Sequence, residues 1–237
     1  MKVLFIIIFL FYGSYFSLAN NKILKKIDSY RKFTKSFQIN IKIIDFKNNE
    51  LVDSSLFVGF FKGNKKSLLY CYKGKNKGMK ILMKDNNLWI NLPGSKRALR
   101  ITPIQRLLGQ ASNGDIAKIS YDEDYTIDSM VSKDSMNILY LKAKRSSATY
   151  NKIELFVKKD NFSPLKANYY LISGKHFKTA YFFYSTLHNK RKFINKVKIV
   201  NKFKDNFFTV IENFNIKKIN IPTKYFNKSY LYDFNPF

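Results

Sequence analysis

The segment GMKILMKDNNLWINLPGSKRALRI, residues 78–101, contains three short apolar runs separated by turn residues. The runs Met79–Lys84, Leu88–Leu92 and Lys96–Ile101 have the length of β-strands. Their connections, residues 85–87 and Pro93-Gly94, consist of Asn, Asp, Pro and Gly, which favour tight turns. The segment therefore predicts consecutive antiparallel hairpins.

The same rhythm of apolar runs and turns continues on both sides of this segment. The alternation in QINIKI, residues 38–43, places Ile39, Ile41 and Ile43 on one face of a strand. Residues 102–125 interrupt the pattern as a polar stretch. We predict a mainly β protein, a strongly curved antiparallel sheet or open barrel formed by a single domain from residue 20 to 237. The further predicted strands are Ser55–Phe61, Lys66–Tyr72, Tyr125–Val131, Met136–Ala143, Ile153–Lys158, Leu165–Ile172, Thr179–Tyr184, Lys196–Val200 and Asn206–Glu212.

A single long helix is predicted before the first strand. Apolar residues recur there at steps of three and four, with lysines between them, which is typical of an amphipathic helix. Its predicted length is about 16 residues, with Asn20 or Asn21 as the N-cap. The apolar positions are Ile23, Ile27, Tyr30, Phe33 and Phe37.

Two strand segments have no polar face at all. These are LLYCY, residues 68–72, and YFFY, residues 181–184. We expect both sides of such strands to be covered. One helix is too small to cover both faces of the sheet, and the remaining apolar surface fits either an overfilled core or a cavity for an apolar ligand.

The first 19 residues predict the compartment. Lys2 is followed by an unbroken apolar run and then by Ser17-Leu18-Ala19, the pattern of a secretory signal peptide that is cleaved after Ala19. The alternative is a retained membrane anchor, because residues 3–19 approach the length that spans a bilayer. The chain has a single Cys, so no internal disulfide framework exists, and a bacterial periplasm is the predicted location.

The charge of the chain is strongly positive. It has 43 Lys and Arg against 16 Asp and Glu, a net charge of +27, but only six of the bases are Arg. Either the surface is functionally basic, or the excess of Lys and Asn reflects an AT-rich coding sequence. Proteins that bind phosphate groups favour Arg, whose planar fork makes bidentate contacts. Together with the secretory leader, the small number of Arg residues argues against a nucleic-acid partner.

Groups that carry catalysis are scarce. His176 and His188 have no acidic residue near them in sequence, and Cys71 is expected to be a small core residue. The acidic cluster Asp122-Glu123-Asp124 lacks the spacing of a calcium loop and is predicted to be a solvated turn or a helix start. No phosphate loop and no nucleophile motif is present. We therefore expect a protein that is not an enzyme, with no metal site and no cofactor.

Residues 78–101 also carry a family resemblance. The pattern G-x-K-x-L-x-x-x-x-x-L-W, the following Leu-Pro turn and the basic strand resemble the outer-membrane lipoprotein-sorting family, the LolA-like periplasmic carriers. Arg106-Leu107-Leu108-Gly109 and Asp122-Glu123-Asp124-Tyr125 look like the continuation of the same pattern. The resemblance extends over most of residues 22–220, although the chain is more basic and aromatic than expected for the family.

The resemblance implies an unclosed barrel whose concave apolar face lies under a helical lid. It implies a carrier of lipoproteins or lipids, with acyl chains as ligand and with an inner-membrane permease and an outer-membrane acceptor as partners. Arg97 and Arg100 are candidates for contact with a headgroup or with the lid. The candidate lipid-binding residues are Ile39, Ile41, Ile43, Ile81, Met83, Leu88, Trp89, Ile90, Leu155 and Val157.

Two other functions stay open at this point. One is a periplasmic domain that senses lipid or mislocalised lipoprotein and regulates a response. The other is a basic protein that binds anionic membranes, since each Lys near such a surface adds about 1 kcal/mol.

Overall fold

The structure is a computed structural model that describes residues 20–33, 35–117, 120–187 and 190–237. The predicted leader, residues 1–19, and His188 lie outside the described residues. The first helical residues described, 20–29, belong to helix α1. The later helices are α2, Asn113–Ala117, and α3, Tyr121–Asp124, with two 3₁₀ turns at Thr223–Phe226 and Lys228–Tyr230. The strands are β1 Ser36–Lys47, β2 Glu50–Lys62, β3 Lys66–Lys73, β4 Lys80–Lys84, β5 Asn87–Asn91, β6 Leu99–Ile101, β7 Arg106–Leu108, β8 Ala111–Ser112, β9 Tyr125–Lys133, β10 Met136–Ala143, β11 Lys152–Lys158, β12 Pro164–Tyr170, β13 His176–Thr186, β14 Lys192–Asn201 and β15 Phe207–Lys218.

Thirteen of these strands form one antiparallel sheet. Their order is β6-β5-β4-β3-β2-β1-β15-β14-β13-β12-β11-β10-β9, and β7 and β8 form a separate hairpin. The first and last strands of the chain pair with each other in the middle of the sheet, from Phe37 opposite Lys218 to Lys47 opposite Phe207. The edges, β6 and β9, do not pair, so the sheet is not closed. The predicted mainly β, unclosed architecture is confirmed.

The agreement between predicted and observed strand bounds differs along the chain. Met136–Ala143 is a strand over its whole predicted length, whereas β6 covers only the end of the predicted Lys96–Ile101. The Asn91 amide donates hydrogen bonds to the carbonyls of Ser95, at 2.7 Å, and Arg97, at 3.4 Å. These bonds fold residues 95–97 into a turn, so the third strand of the segment starts later than predicted.

The sheet curls around one large buried cluster. Side chains from opposite ends of the strand order, such as Ile90 on β5 and Leu141 on β10, belong to the same apolar cluster. A flat sheet of this many strands would keep these residues far apart. The cluster therefore defines a concave face, and the opposite face of the sheet is convex.

Helix α1 ends earlier than predicted. It ends at residue 29, and Phe37 belongs to β1. The Tyr30 carbonyl accepts a hydrogen bond of 2.8 Å from the Ile194 backbone NH, and the Arg191 guanidinium donates to the carbonyls of Ser29, Lys32 and Phe33. These contacts satisfy the carbonyls that end a helix. Phe37 fits the helical spacing and also the alternation of Ile39 and Ile41, so the sequence pattern was ambiguous there.

The polar stretch after β6 folds onto the concave face together with α1. Residues 20–33, 102–117 and 120–124 are called the inner cover below. Ser120 caps α3, because its hydroxyl accepts a hydrogen bond from the Glu123 backbone NH. Apolar side chains of the inner cover complete the buried cluster: Leu24, Ile27, Tyr30, Ala111, Ile116 and Tyr121.

The end of the chain covers part of the convex face. Residues 219–237, called the outer cover below, lie on β2–β5. Together with these strands they form a second apolar cluster, the outer cluster. It contains Val58, Phe60, Leu68 and Leu82 from the sheet and Ile221, Phe226, Leu231 and Phe234 from the outer cover. The prediction that β3 is covered on both sides is therefore confirmed. Cys71 is fully buried in the large cluster of the concave face, as expected for a core residue.

The corresponding prediction for residues 181–184 is wrong. Phe182 is buried in the concave cluster, but Tyr181 is 40% exposed and Phe183 is 47% exposed. The outer cover lies on β2–β5, whereas these residues are on β13, so their convex side faces solvent. An aromatic side chain does not require a covering layer on a sheet that is already buried on its other face.

Candidate functional site

Nine of the predicted lipid-binding residues lie together on the concave face. Each of them is at most 3% exposed, and all belong to the same buried cluster. The strand register explains this arrangement: Ile81 lies opposite Ile90 and Met83 lies opposite Leu88. Directly opposed residues of an antiparallel pair share one face of the sheet. The nine residues are Ile39, Ile41, Ile43, Ile81, Met83, Leu88, Ile90, Leu155 and Val157.

Trp89, Arg97 and Arg100 do not join this set, which corrects the prediction. Trp89 packs against the outer cluster. Arg100 lies opposite Trp89 in the register, so it is on the convex face, where it donates a 2.5 Å hydrogen bond to the Asn87 side chain. Arg97 is exposed in the turn before β6. Strand alternation places Trp89 and Arg100 away from the concave face, and Arg97 lies in a turn outside the strands.

Two small cavities lie between the concave face and the inner cover. The first, of about 40 Å³, is mainly apolar and is lined by Phe33, Ile41 and Val197 among others. The second, of about 30 Å³, is lined by tyrosines, including Tyr121, Tyr150 and Tyr169. Arg31 and Asp115 line both cavities, so the two meet at these side chains. Each has room for only one or a few water molecules.

A buried ion pair fastens α2 to the sheet. The Lys178 ammonium, on β13, is fully buried and lies 2.8 Å from the Asp115 carboxylate of α2. It also donates hydrogen bonds to the Gln110 carbonyl, at 3.0 Å, and to the Ser112 hydroxyl, at 2.8 Å. The second Asp115 oxygen accepts a 2.6 Å hydrogen bond from the Tyr150 hydroxyl. A buried pair with this many hydrogen bonds fixes one position for the segment.

A second polar group joins α1 to α3. The buried Asp28 carboxylate accepts hydrogen bonds from the backbone NH groups of Tyr121, at 2.7 Å, and Asp122, at 3.1 Å. Lys32 lies between the two carboxylates, 3.0 Å from Asp28 and 3.3 Å from Asp122. Burial, and then the hydrogen bond with the Asp122 carboxyl, raise the pKa of Asp28. The two acids therefore hold a proton between them at higher pH than a solvated carboxyl would.

The acidic cluster is a helix start, as predicted, and it is only partly solvated. Asp124 is 2% exposed and its carboxylate lies 2.6 Å from the Arg145 guanidinium. Glu123 lies 3.8 Å from the Lys65 ammonium. These contacts of the acidic cluster help to hold the inner cover in place. In the described ranges no three potential metal ligands converge.

Gly109 lies where the β7–β8 turn approaches the sheet. Its φ is +50°, and a Cβ atom there would lie within 2.4 Å of the Asp45 carboxylate. Only glycine combines this backbone conformation with such a close approach. Gly109 therefore allows the inner cover to lie against β1.

The sequence reasoning missed the polar residues of this site. Asp28, Arg31, Asp115 and Lys178 were not singled out, because each pairs with residues far away in the chain. One signal was available. In a chain with 37 Lys and six Arg, Arg31, Arg145 and Arg191 all contact the inner cover or belong to it.

Comparison with solved structures shows which proteins share this fold. A crystal structure of a LolA superfamily protein from Nitrosomonas europaea is similar over 89% of this chain and 98% of its own, with 29% identity and a TM-score of 0.80. An outer membrane lipoprotein-sorting protein domain from Vibrio parahaemolyticus matches 91% of this chain and 99% of its own, with 16% identity and a TM-score of 0.74. A DUF1329 family protein from Desulfovibrio piger is similar in fold, with 18% identity and a TM-score of 0.73 over 91% of this chain and 98% of its own. The resemblance to the LolA-like family is confirmed.

Sequence comparison adds a family assignment. Residues 63–233 match the model of a family whose description is "uncharacterized protein". No curated protein matches the chain. Among the described residues, none of the helices has the length and apolar character needed to cross a membrane.

Proposed function

The chain belongs to the family of uncharacterized proteins whose model matches residues 63–233, and we propose that it is a periplasmic carrier of lipid acyl chains. Its ligand would be a lipoprotein or a free lipid, held in the concave face of the sheet and moved toward the outer membrane. The LolA-like fold, shared with a lipoprotein-sorting protein domain, supports a binding and carrier role rather than catalysis.

One observation carries the proposal. Apolar side chains from strands across the sheet converge on one concave face, which is closed by a cover held through polar contacts. Each methylene removed from water contributes about 0.8 kcal/mol, so an acyl chain needs such a shielded surface to cross an aqueous compartment.

Uptake of a ligand requires the inner cover to move. The two cavities have volumes of about 40 and 30 Å³, whereas pockets for small organic ligands are about 300–1,000 Å³. Polar contacts suit a cover that opens, because water replaces hydrogen bonds on exposed groups at little net cost. We propose that an acyl chain replaces the contacts between the inner cover and the sheet.

The rest of the proposal concerns route and partners. The leader-like residues 1–19 support export to the periplasm with cleavage after Ala19. An inner-membrane permease would load the cargo as its donor, and an outer-membrane acceptor would receive it on release. N-terminal sequencing of the native protein tests the export step, and a retained Met1 would contradict a freely diffusing carrier.

A matched pair of variants tests the site. Val197 lines the apolar cavity, and Val200 on the same strand lies on the convex face. Val197→Phe fills the space that an acyl chain would enter, so we expect displacement of a fluorescent fatty-acyl probe to show several-fold weaker binding. Val200→Phe makes the same change on the other face and should bind as the wild type does. Equal binding by both variants at equal folded fraction would contradict a concave site.

A second candidate function is contact with anionic membranes. Lys166, Tyr181 and Lys198 lie side by side across the uncovered convex face. The two ammonium groups lie 4.2 Å and 4.0 Å from the ring centres of Phe156 and Phe208. Rows of Lys with exposed aromatic rings favour a negatively charged lipid surface.

Vesicle binding tests this candidate. Co-sedimentation with vesicles that contain about 30% anionic lipid should fall for the double variant Lys166→Gln/Lys198→Gln and should weaken with salt. Lys224→Gln/Lys228→Gln removes the same charge from the outer cover and serves as control. Equal losses for both pairs would indicate a response to net charge alone.

A further inference from the structure

Arg31 lies at the junction of the two cavities of the concave face. It follows α1 and is partly buried, with its guanidinium 5.8 Å from the ring centre of Tyr121 and 5.3 Å from that of Phe182. Both distances are within the range of cation–π contacts. Within the described part of the chain, the guanidinium makes no hydrogen bond and no ion pair, so its five N–H donors are available.

The acidic groups beside the cavities already have their own partners. Asp115 is paired with Lys178, and Asp124 is paired with Arg145. Asp28 accepts two backbone NH groups and contacts Lys32. Arg31 makes no ion pair of its own in the described residues, and the nearby Asp115 and Asp28 carboxyl groups favour its charged form. A cation in a poorly solvated position is stabilised by an anion that binds there.

The cavities on the two sides of Arg31 differ in polarity. One is lined mainly by aliphatic and phenyl groups, and the other mainly by phenol and other polar groups. This arrangement matches a molecule with an apolar chain and a polar end. The guanidinium stands at the place where the two ends of such a molecule would meet.

Two phenol groups add hydrogen-bonding capacity beside Arg31. The hydroxyl oxygens of Tyr121 and Tyr169 are 3.4 Å apart and are buried. One of the two protons is used between them, which leaves the other to donate to a ligand. Burial raises the pKa of both groups, so the phenols stay protonated and act as donors.

We propose that Arg31, with the hydroxyls of Tyr121 and Tyr169, binds the anionic headgroup of an amphiphile whose acyl chain enters the concave face at the apolar cavity and replaces contacts of the inner cover there. The headgroup is a carboxylate or a phosphate, since a guanidinium fork fits both. This inference rests on the proposed carrier function and names its ligand class: acidic amphiphiles are preferred to neutral ones of the same chain length.

Displacement of a neutral fluorescent acyl probe from the mature protein tests this preference. The competitors share one chain and differ in headgroup: a fatty acid, an alkyl phosphate and a fatty alcohol. With the wild type, both anionic competitors should act at about 10-fold lower concentration than the alcohol, as expected for one charge-assisted contact. Acetate and inorganic phosphate should not displace the probe, because they lack the chain.

Variants assign the preference to Arg31. Arg31→Gln should bind the alcohol as the wild type does and should lose the preference for anions, whereas Arg31→Lys should keep part of it. Arg97→Gln, which removes an exposed charge, should keep all of it. Equal potency of the three competitors on the wild type would overturn the proposal without any variant, as would a preference that survives in Arg31→Gln. If the probe and all amphiphiles fail to bind, the carrier function itself is wrong.

Discussion

The two faces of the sheet are covered in different ways. The inner cover is fastened by buried polar contacts, above all Lys178 with Asp115 and Asp28 with the backbone of α3, and it encloses two cavities. The outer cover is fastened by packing: the ring of Phe234 contacts those of Phe60, Tyr70, Tyr225 and Tyr230. Its polar contacts with the sheet include hydrogen bonds from Lys62 and Lys80 to backbone carbonyls.

Under the proposed function, this difference separates a cover that moves from one that stays in place. Apolar packing is lost entirely when a segment lifts into water, whereas polar groups regain hydrogen bonds with water. Buried ion pairs contribute little net stability but define one arrangement of the groups involved. Under the proposed function, the inner cover is the one exchanged for a ligand and the outer cover is permanent. The following predictions test this distinction.

The largest effect is expected from breaking the ion pair of the inner cover. Lys178→Met leaves the Asp115 carboxylate buried without its counter-charge, which should lower the free energy of unfolding by about 3–5 kcal/mol. Denaturant unfolding measures this loss. The double variant Lys178→Met/Asp115→Asn should recover part of it, and Lys175→Met, at an exposed position of the same hairpin, should have little effect. A small loss for Lys178→Met alone would mean that the inner cover is not held by this pair.

The outer cover should respond to the loss of apolar volume. Leu231 is 1% exposed in the outer cluster, and Leu231→Ala should lower the free energy of unfolding by about 2–3 kcal/mol. The low end of the usual range applies because a segment at the end of the chain can shift to fill the space. The neighbouring Tyr232→Ala, at a 49% exposed side chain, is the control. Acyl binding should be unchanged in both variants, and a loss of binding in Leu231→Ala would contradict a purely structural outer cover.

The strands and their faces could be predicted because a period of two is a local signal. Ile39, Ile41 and Ile43 are on one face in the sequence and in the structure. The end of α1 could not be predicted, since Phe37 fits both periods and the helix ends where Arg191, far along the chain, satisfies its carbonyls. Alternation also places Trp89 on the other face of the sheet from Leu88 and Ile90. Long-range packing decides which of the two faces lies under the inner cover and which under the outer cover.

The polar contacts that hold the inner cover in place were the least predictable part of the site. Lys178 and Asp115 are 63 residues apart, and Asp28 and Tyr121 are 93 residues apart. Nothing in either local sequence marks such a pair, because a Lys or an Asp on a strand or helix usually faces solvent. Family resemblance indicated the fold and a lid, and the residues that hold the lid became visible only in the structure.

The carboxyl pair of the inner cover should make stability depend on pH. Burial beside Asp122 raises the pKa of Asp28 from an ordinary 3.8 to about 7. Between these values the folded protein keeps a proton that the unfolded chain releases, so the free energy of unfolding should fall as pH rises. The expected change is on the order of 1 kcal/mol between pH 5 and 7, measured by denaturant unfolding at each pH.

Asparagine in place of Asp28 does not titrate and therefore separates this effect from other titrations. Asp28→Asn should flatten the pH profile above about pH 4. Asp134→Asn, at an exposed turn, should keep the slope of the wild type. A wild-type stability that rises from pH 5 to 7, with the same rise in Asp28→Asn, would contradict a shared proton in the inner cover.

The smallest effect is expected from the two arginines beside β6. Arg97 and Arg100 are exposed, and Arg100 bonds only to the Asn87 side chain among the contacts described for its guanidinium. Arg97→Gln/Arg100→Gln should therefore change the free energy of unfolding by no more than about 0.5 kcal/mol. Because both side chains lie away from the concave face, amphiphile affinity should also be unchanged, in contrast to Arg31→Gln. The measurement is the same probe displacement with the fatty acid and the fatty alcohol. If the double variant loses the preference for the acid as Arg31→Gln does, the ligand contacts the β6 side of the sheet, and the division between an exchangeable inner cover and a permanent outer cover does not hold.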